Sequence, residues 1–281
     1  MPTIVYSVLD PAGKNIADRL REEFGFAPAA PIAGRPAWSN GRFSLVEISD
    51  RTVTADYLDE LKADLIVFAS RHKSQSGRPT LTAHACGNWN ERAEFGGVPR
   101  TLAPTNAHAI AAALRSYAGN EAVRTGALSG FEVIMECTHH GPLLATPFLF
   151  VEIGSSEKEW GIPEAGKAAA EACLAACAAG SEGSVGVSGG AGERVAIGIG
   201  GIHYPHEISK EVLRPGSATA VGHVCPKYAF EFLDDGMLRQ MIAKSGGHVD
   251  LALIDWKSLK AAERTKALEL LKAFNLPYEK V

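Results

Sequence analysis

Histidines and two glutamates stand where the apolar runs of this chain end, and together they suggest metal binding, proton transfer, or both. Glu136-Cys137-Thr138-His139-His140-Gly141-Pro142 follows the apolar run 131–135, and Gly200-Gly201-Ile202-His203-Tyr204 follows 195–199. His72 follows the run 65–70, His84 lies a short loop further on, and His223 ends the run 219–222. In an open α/β sheet, ligands bind in the crevice beyond the carboxyl ends of the strands. Segments remote in sequence therefore point to one place.

Zinc takes neutral imidazole, carboxylate or thiolate, commonly three protein ligands plus water in a catalytic centre. His84, His139, His140 and His203 are the candidates. The helical His-Glu-x-x-His spacing is absent, so any such centre is non-local, and the opposing reading is a set of hydrogen-bonded histidines that close polar loops. Adjacent side chains of an extended segment point to opposite sides. His139 and His140 are thus not expected to share an ion; one would bind while its neighbour orients water or substrate, or packs under the loop. Glu136 and Glu152 sit near the ends of otherwise apolar strands, and a buried carboxylate must find a partner. A metal, a metal-bound imidazole, a reactive water or a salt bridge to Arg or Lys would each serve. Ser70, Ser74 and Ser76 lack the Gly-x-Ser-x-Gly elbow of a serine hydrolase. Cys137 reads as a small buried thiol before it reads as a nucleophile. Gly198-Ile199-Gly200-Gly201 lacks full dinucleotide-binding spacing, so its glycines are expected to turn the chain sharply near a ligand.

The elements that must carry these groups alternate between β and α patterns. Strands are predicted over 3–9, 43–48, 65–70, 131–137, 147–153, 195–199, 218–224 and 249–254. Helices are predicted after Asp10-Pro11, over 107–117 with Asn106 as N-cap, over the Ala-rich 164–179 and over 258–274 capped by Ser258, with a short one near Tyr57 and Leu61. Residues 24–40 read as an irregular connection, 71–105 as a long polar functional loop, and 181–192 as a Gly/Ser-rich connector. The fold class expected is α/β: a mostly parallel or mixed central sheet with helices on both faces. One domain is expected over 1–281, with 181–194 as the candidate sub-lobe boundary.

Bulk composition narrows the field. The chain has 281 residues, is 46% hydrophobic and carries a formal net charge of −4. Such a balance does not demand nucleic acid, although a local basic patch can still bind RNA. Five cysteines make no disulfide framework. With no signal-peptide pattern and no apolar stretch of ~18 residues, a cytoplasmic protein with no membrane partner is expected. Nothing points to DNA, and oligomeric state leaves no signal.

Several blocks jointly resemble the archaeal and plant-type D-aminoacyl-tRNA deacylase family. They are Ser70–Pro79 (SRHKSQSGRP), Leu81–Trp89 (LTAHACGNW), Glu136–Pro142 (ECTHHGP), Phe150–Ser155 (FVEIGS), Gly198–Tyr204 (GIGGIHY) and Gly222–Tyr228 (GHVCPKY). After His203-Tyr204 the family pattern continues Ala-Pro, where this chain has Pro205-His206, which leaves the role of His206 open. The resemblance implies a phosphorylase-like or zinc-peptidase-like α/β hydrolase that cleaves the ester between a D-amino acid and tRNA with Zn2+. On the spacing argument, His84, His139 and His203 would hold the metal, Glu152 or Glu136 would take a proton from water, and His140 would help protonate the leaving ribose oxygen. Asn88 and Tyr204 would hydrogen-bond the substrate, His72 would help bind it, and Lys73, Arg78 and Lys227 would meet phosphates. Two alternatives stand beside this: a metal-independent deacylase assisted by the ribose hydroxyl, and a non-catalytic tRNA- or nucleotide-binding module.

Overall fold

The computed structural model describes residues 1–74, 77–183 and 193–281. The candidate boundary at 181–194 and Ser76 lie largely or wholly outside the described residues. Strand β1 (Thr3–Ser7) is fully buried, and the chain then turns at Asp10, whose carboxylate accepts from the Ala12 and Gly13 amides to cap helix α1 (Pro11–Glu23). Strands β2 (Ala27–Ile32), β3 (Arg35–Ser39) and β4 (Ser44–Ile48) follow. The first two form a hairpin where an irregular connection was expected. Ala33 and Gly34 both take positive φ in its two-residue loop, and Pro28 and Pro31 are tolerated because β2 is an edge strand. Then come β5 (Ile66–Arg71), β6 (Thr80–His84), the short pair β7 (Gly87–Asn88) and β8 (Thr101–Leu102), and helices α2 (Ala107–Gly119) and α3 (Glu121–Arg124). Strands β9 (Glu132–Met135) and β10 (Phe148–Gly154) precede helices α4 (Glu157–Trp160) and α5 (Pro163–Gly183). The remainder is β11 (Arg194–Ile199), α6 (His206–Leu213), β12 (Thr219–Cys225), α7 (Asp235–Ala243), β13 (Leu251–Ile254), α8 (Ala261–Ala273) and β14 (Tyr278–Lys280).

Among the described residues two large sheets form beside the β7-β8 pair: an eight-stranded one ordered β2-β3-β4-β1-β5-β10-β6-β9, and a four-stranded one ordered β12-β11-β13-β14. The α/β class and the mixed sheet are as expected. One face of the large sheet carries α1, α2 and α5; the other carries two 3₁₀ turns at 52–54 and 56–61. Helices α2 and α5 approach closely because the side chains between them are mostly alanine, including Ala109, Ala113, Ala169 and Ala172. Helix α2 also packs on β12, so a single apolar core runs through both sheets.

Strand direction decides where the site falls. Strands β1, β4, β5 and β10 are parallel, but β6 is antiparallel to β10, and β9 is parallel to β6. The candidate groups therefore do not all sit beyond one carboxyl edge. Glu152 pairs with Ser70 and Thr82, Thr82 pairs with Ile134, and Phe150 pairs with His84. Side chains alternate along a strand, so Glu152, His84 and the residue two beyond Ile134, Glu136, share one face of the sheet.

Candidate active site

The carboxylates form the floor. Glu136 is fully buried and Glu152 nearly so. The Nδ1 of His72 lies 3.1 Å from Glu136 and 3.5 Å from Glu152, and Nε2 of His203 lies 2.9 Å from Glu136. His84 Nε2 is 3.7 Å from Glu152 and His139 Nε2 is 3.6 Å from Glu136. These contacts are close, yet neither Glu136 oxygen nor His84 Nε2 has a partner in hydrogen-bond geometry. Unpaired polar atoms this deep are costly.

The walls come from one strip of chain. Cys137 N–H donates to the His203 carbonyl and Thr138 N–H to the Val224 carbonyl, while Gly87 N–H donates to the His140 carbonyl. The Trp89 indole donates to the Thr138 carbonyl at 2.7 Å. His140 adopts φ +43°. That left-handed kink breaks the alternation expected of an extended pair and turns both imidazoles to one side. The His139 and His140 rings lie 4.3 Å apart, His84 and His139 4.5 Å, and His139 and His203 4.7 Å.

Three of the imidazoles are held in one tautomer. Nδ1 of His84, His139 and His140 lies 3.1, 2.8 and 2.6 Å from the carbonyl oxygens of Ala85, Cys137 and Gly141. A carbonyl only accepts, so each Nδ1 carries the proton and each Nε2 presents a lone pair, as metal-bound histidines do. Burial, reinforced by neighbouring imidazoles, holds His139 well below the usual histidine range and His140 down at about 4. Neutral ligands are what a cation needs; His84 departs from this pair, since Glu152 and Glu136 beside it outweigh burial and raise it. Burial opposes protonation of His72 and His203 as well, but Glu136 facing both, with Glu152 beside His72 and Cys137 beside His203, lifts each to about 10. Among the described residues, donor atoms within 4.8 Å of one another form the groups His84/His139/His140, Cys137/His139/His203, His72/Glu136/His203 and His84/Glu136/Glu152. This donor set suits zinc.

Convergence of the remote imidazoles is as anticipated, but their grouping differs. His203 is not in a group with His84; His140 takes that place, because of its kink. A cavity of about 930 Å³ opens above, lined by His72, Lys73, His139, His140, Glu152, His203 and Tyr204 among others. Glu152 reaches this cavity, whereas Glu136 lies beneath it. Tyr204 shares a 2.8 Å hydrogen bond with His72 Nε2. Asn88 does not line the cavity; its amide donates to Gly96 at 2.9 Å and pins the following loop. Lys227 does not line it either, and its backbone N–H donates to Gly201. Arg78 lies on the rim. His206 is at the cavity margin, 3.3 Å from Glu132, while His223 is buried behind the strip with Nδ1 3.2 Å from Thr138 Oγ1. Ser70 donates to Asp10, with no imidazole to activate it. Gly200 and Gly201 have positive φ, but what comes close to them is Asp255, Ser258 and Pro205. Arg51, Arg71, Phe95 and Ile202 also line the cavity and were not singled out from sequence. An apolar side chain inside a polar Gly-rich loop was the available sign of Phe95.

Residues 59–279 match the family model described as D-aminoacyl-tRNA deacylase. A D-aminoacyl-tRNA deacylase of Methanosarcina mazei is 33% identical over 291 residues, with 98% of this chain and 90% of the relative covered. One from Pyrococcus horikoshii is 32% identical over 289 residues and covers 100% of both. The solved structure of a conserved protein of unknown function, AF0625, is similar with a TM-score of 0.86 at 31% identity, covering 100% of this chain and 95% of that one. The sequence blocks, the fold and the relatives agree: the chain belongs to the D-aminoacyl-tRNA deacylase family.

Proposed function

We propose that the protein hydrolyses the ester of D-aminoacyl-tRNA to free D-amino acid and tRNA, in the cytoplasm, with Zn2+ held chiefly by His84, His139 and His140. One observation carries the metal: three imidazoles whose Nδ1–H groups are tied to backbone carbonyls each offer a ring nitrogen within 4.8 Å of the other two, and Nε2 of His84 is buried without a partner. Zinc there would supply a Lewis acid for the ester carbonyl and would acidify water toward pKa ~7. Glu152, on the cavity wall and held ionised chiefly by the flanking His72 against the effect of burial, accepts the proton of the attacking water. His203, kept protonated by Glu136, takes over from His140 as donor to the departing ribose oxygen. Tyr204 holds His72, and Lys73 meets phosphate at the rim. Among the described residues no helix is long and apolar enough to cross a membrane.

Elemental analysis of purified protein, paired with hydrolysis of matched D- and L-aminoacyl-tRNA, tests this. Bound zinc with cleavage of the D-ester is expected. Metal-free protein with full activity would favour hydroxyl-assisted hydrolysis, and tight tRNA binding without turnover would leave a binding module.

A further inference from the structure

Large exposed apolar side chains are few among the described residues, and three of them surround one opening. Leu9 (56% exposed), Phe95 (62%) and Ile202 (60%) all line the cavity above the imidazoles. The cations Arg51, Arg71 and Lys73 line it too, and all three are exposed. The acidic lining residues, Asp10 and Glu152, are buried and spent on protein contacts. A chain of net charge −4 thus presents a basic, partly aromatic mouth.

Phe95 is set firmly in this mouth. Its carbonyl accepts from Gly141 N–H at 3.0 Å, directly beyond His140. A Cβ on Gly96 would fall 1.7 Å from the Val53 carbonyl oxygen, and one on Gly141 would fall 2.2 Å from Gly97 N. Residues 95–97 are therefore wedged between the turn that carries Arg51 and the strip that carries His139 and His140. The ring lines the same cavity as Arg51 and the imidazoles His139 and His140. A pocket for an amino-acid side chain would enclose an apolar group and would not need cations beside it. An exposed aromatic face flanked by cations is how the end of a single nucleic-acid strand is held.

We propose that this mouth seats the terminal nucleoside of the tRNA acceptor end, with its adenine stacked on Phe95 and its phosphate toward Arg51 and Lys73. The inference rests on the deacylase reading above. It also identifies the part of the substrate that is the same whatever amino acid is attached.

The test is steady-state kinetics of wild type, F95A and F95W on D-aminoacyl-tRNA and on a D-amino acid ethyl ester, which has no base. Loss of one stacked base should raise KM for the tRNA substrate about 10-fold in F95A, and F95W should recover it. The ethyl ester should respond about twofold at most, and zinc content should not change. Equal losses on both substrates, or an unaltered KM for D-aminoacyl-tRNA, would overturn the proposal. Anisotropy titration with an uncharged oligonucleotide ending in CCA reads the same seat without chemistry: weaker binding by F95A supports it, and equal binding by the two proteins overturns it. If wild type cleaves neither ester, the deacylase reading fails, while the titration still decides the seat.

Discussion

His139→Ala strikes the centre of the imidazole cluster. The ring lies within 4.7 Å of three other imidazoles and belongs to two of the four donor groups. Without metal the substitution removes one hydrogen bond, from Nδ1 to the Cys137 carbonyl, and some packing of a side chain that is 24% exposed. That costs about 1–2 kcal/mol. With metal the loss is larger. At a zinc concentration about 100 times its dissociation constant, binding adds ~2.7 kcal/mol to wild-type stability, or about 5–10 °C in melting temperature for a chain of this size. H139A should therefore melt within a few degrees of wild type after chelation and show little of the zinc-dependent gain. Its turnover of D-aminoacyl-tRNA should fall at least about 10³-fold, the scale of losing both the Lewis acid and the activated water. Melting scans with and without zinc, elemental analysis and deacylation measure all three. Zinc at wild-type stoichiometry together with undiminished turnover in H139A would refute the reasoning.

Three further outcomes follow from the same geometry. Glu152→Gln keeps shape and removes the base, so kcat should drop about 10²–10⁴-fold while bound zinc is retained, as rapid-quench deacylation and elemental analysis would register. In chelated protein, His72 and His203 titrate near 10 against ~6.5 when unfolded, so their contribution is complete below about pH 6.5 and fades as pH climbs to 10. His140, lowered to about 4, acts in the opposite sense, contributing above ~6.5 and losing stability as pH falls. Urea melts of chelated protein should thus show maximal stability near pH ~6.5, and Glu136→Gln should flatten the alkaline decline; a monotonic rise toward pH 10 would contradict the assignment. Gly141→Ala places a Cβ among backbone atoms of Gly96, Gly97 and Val53, none of which is a flexible side-chain end, so urea denaturation should report a loss of about 1–3 kcal/mol or more.

Most strands were legible because they carry runs of consecutive apolar residues, as β1, β5 and β10 show, and Asn106 announced α2 by the chemistry of its cap. Strand β6 was not. Thr80, Thr82 and His84 are buried polar groups facing the site, so a functional surface erased the hydrophobic signature and the strand read as loop. The hairpin of β2 and β3 hid behind prolines that only an edge position admits. Helix α8 begins at Ala261, and Ser258, expected as its cap, receives the Gly201 amide instead. Which residues would gather was readable from strand ends. Which imidazoles would share donor distance was not, because that depends on the reversal of β6 and β9 and on the φ of His140.

The strip from Cys137 to Gly141 is stitched on both margins, to Cys86 and Gly87 on one side and to His203 and Val224 on the other. Neither sheet can swing against the other without tearing the ribbon that bears the imidazoles. The candidate centre is thereby tied to both sheets at once. Enantiomers differ only in how groups are disposed about one carbon, so under the proposed deacylase reading a seam anchored on both margins would favour telling such mirror images apart.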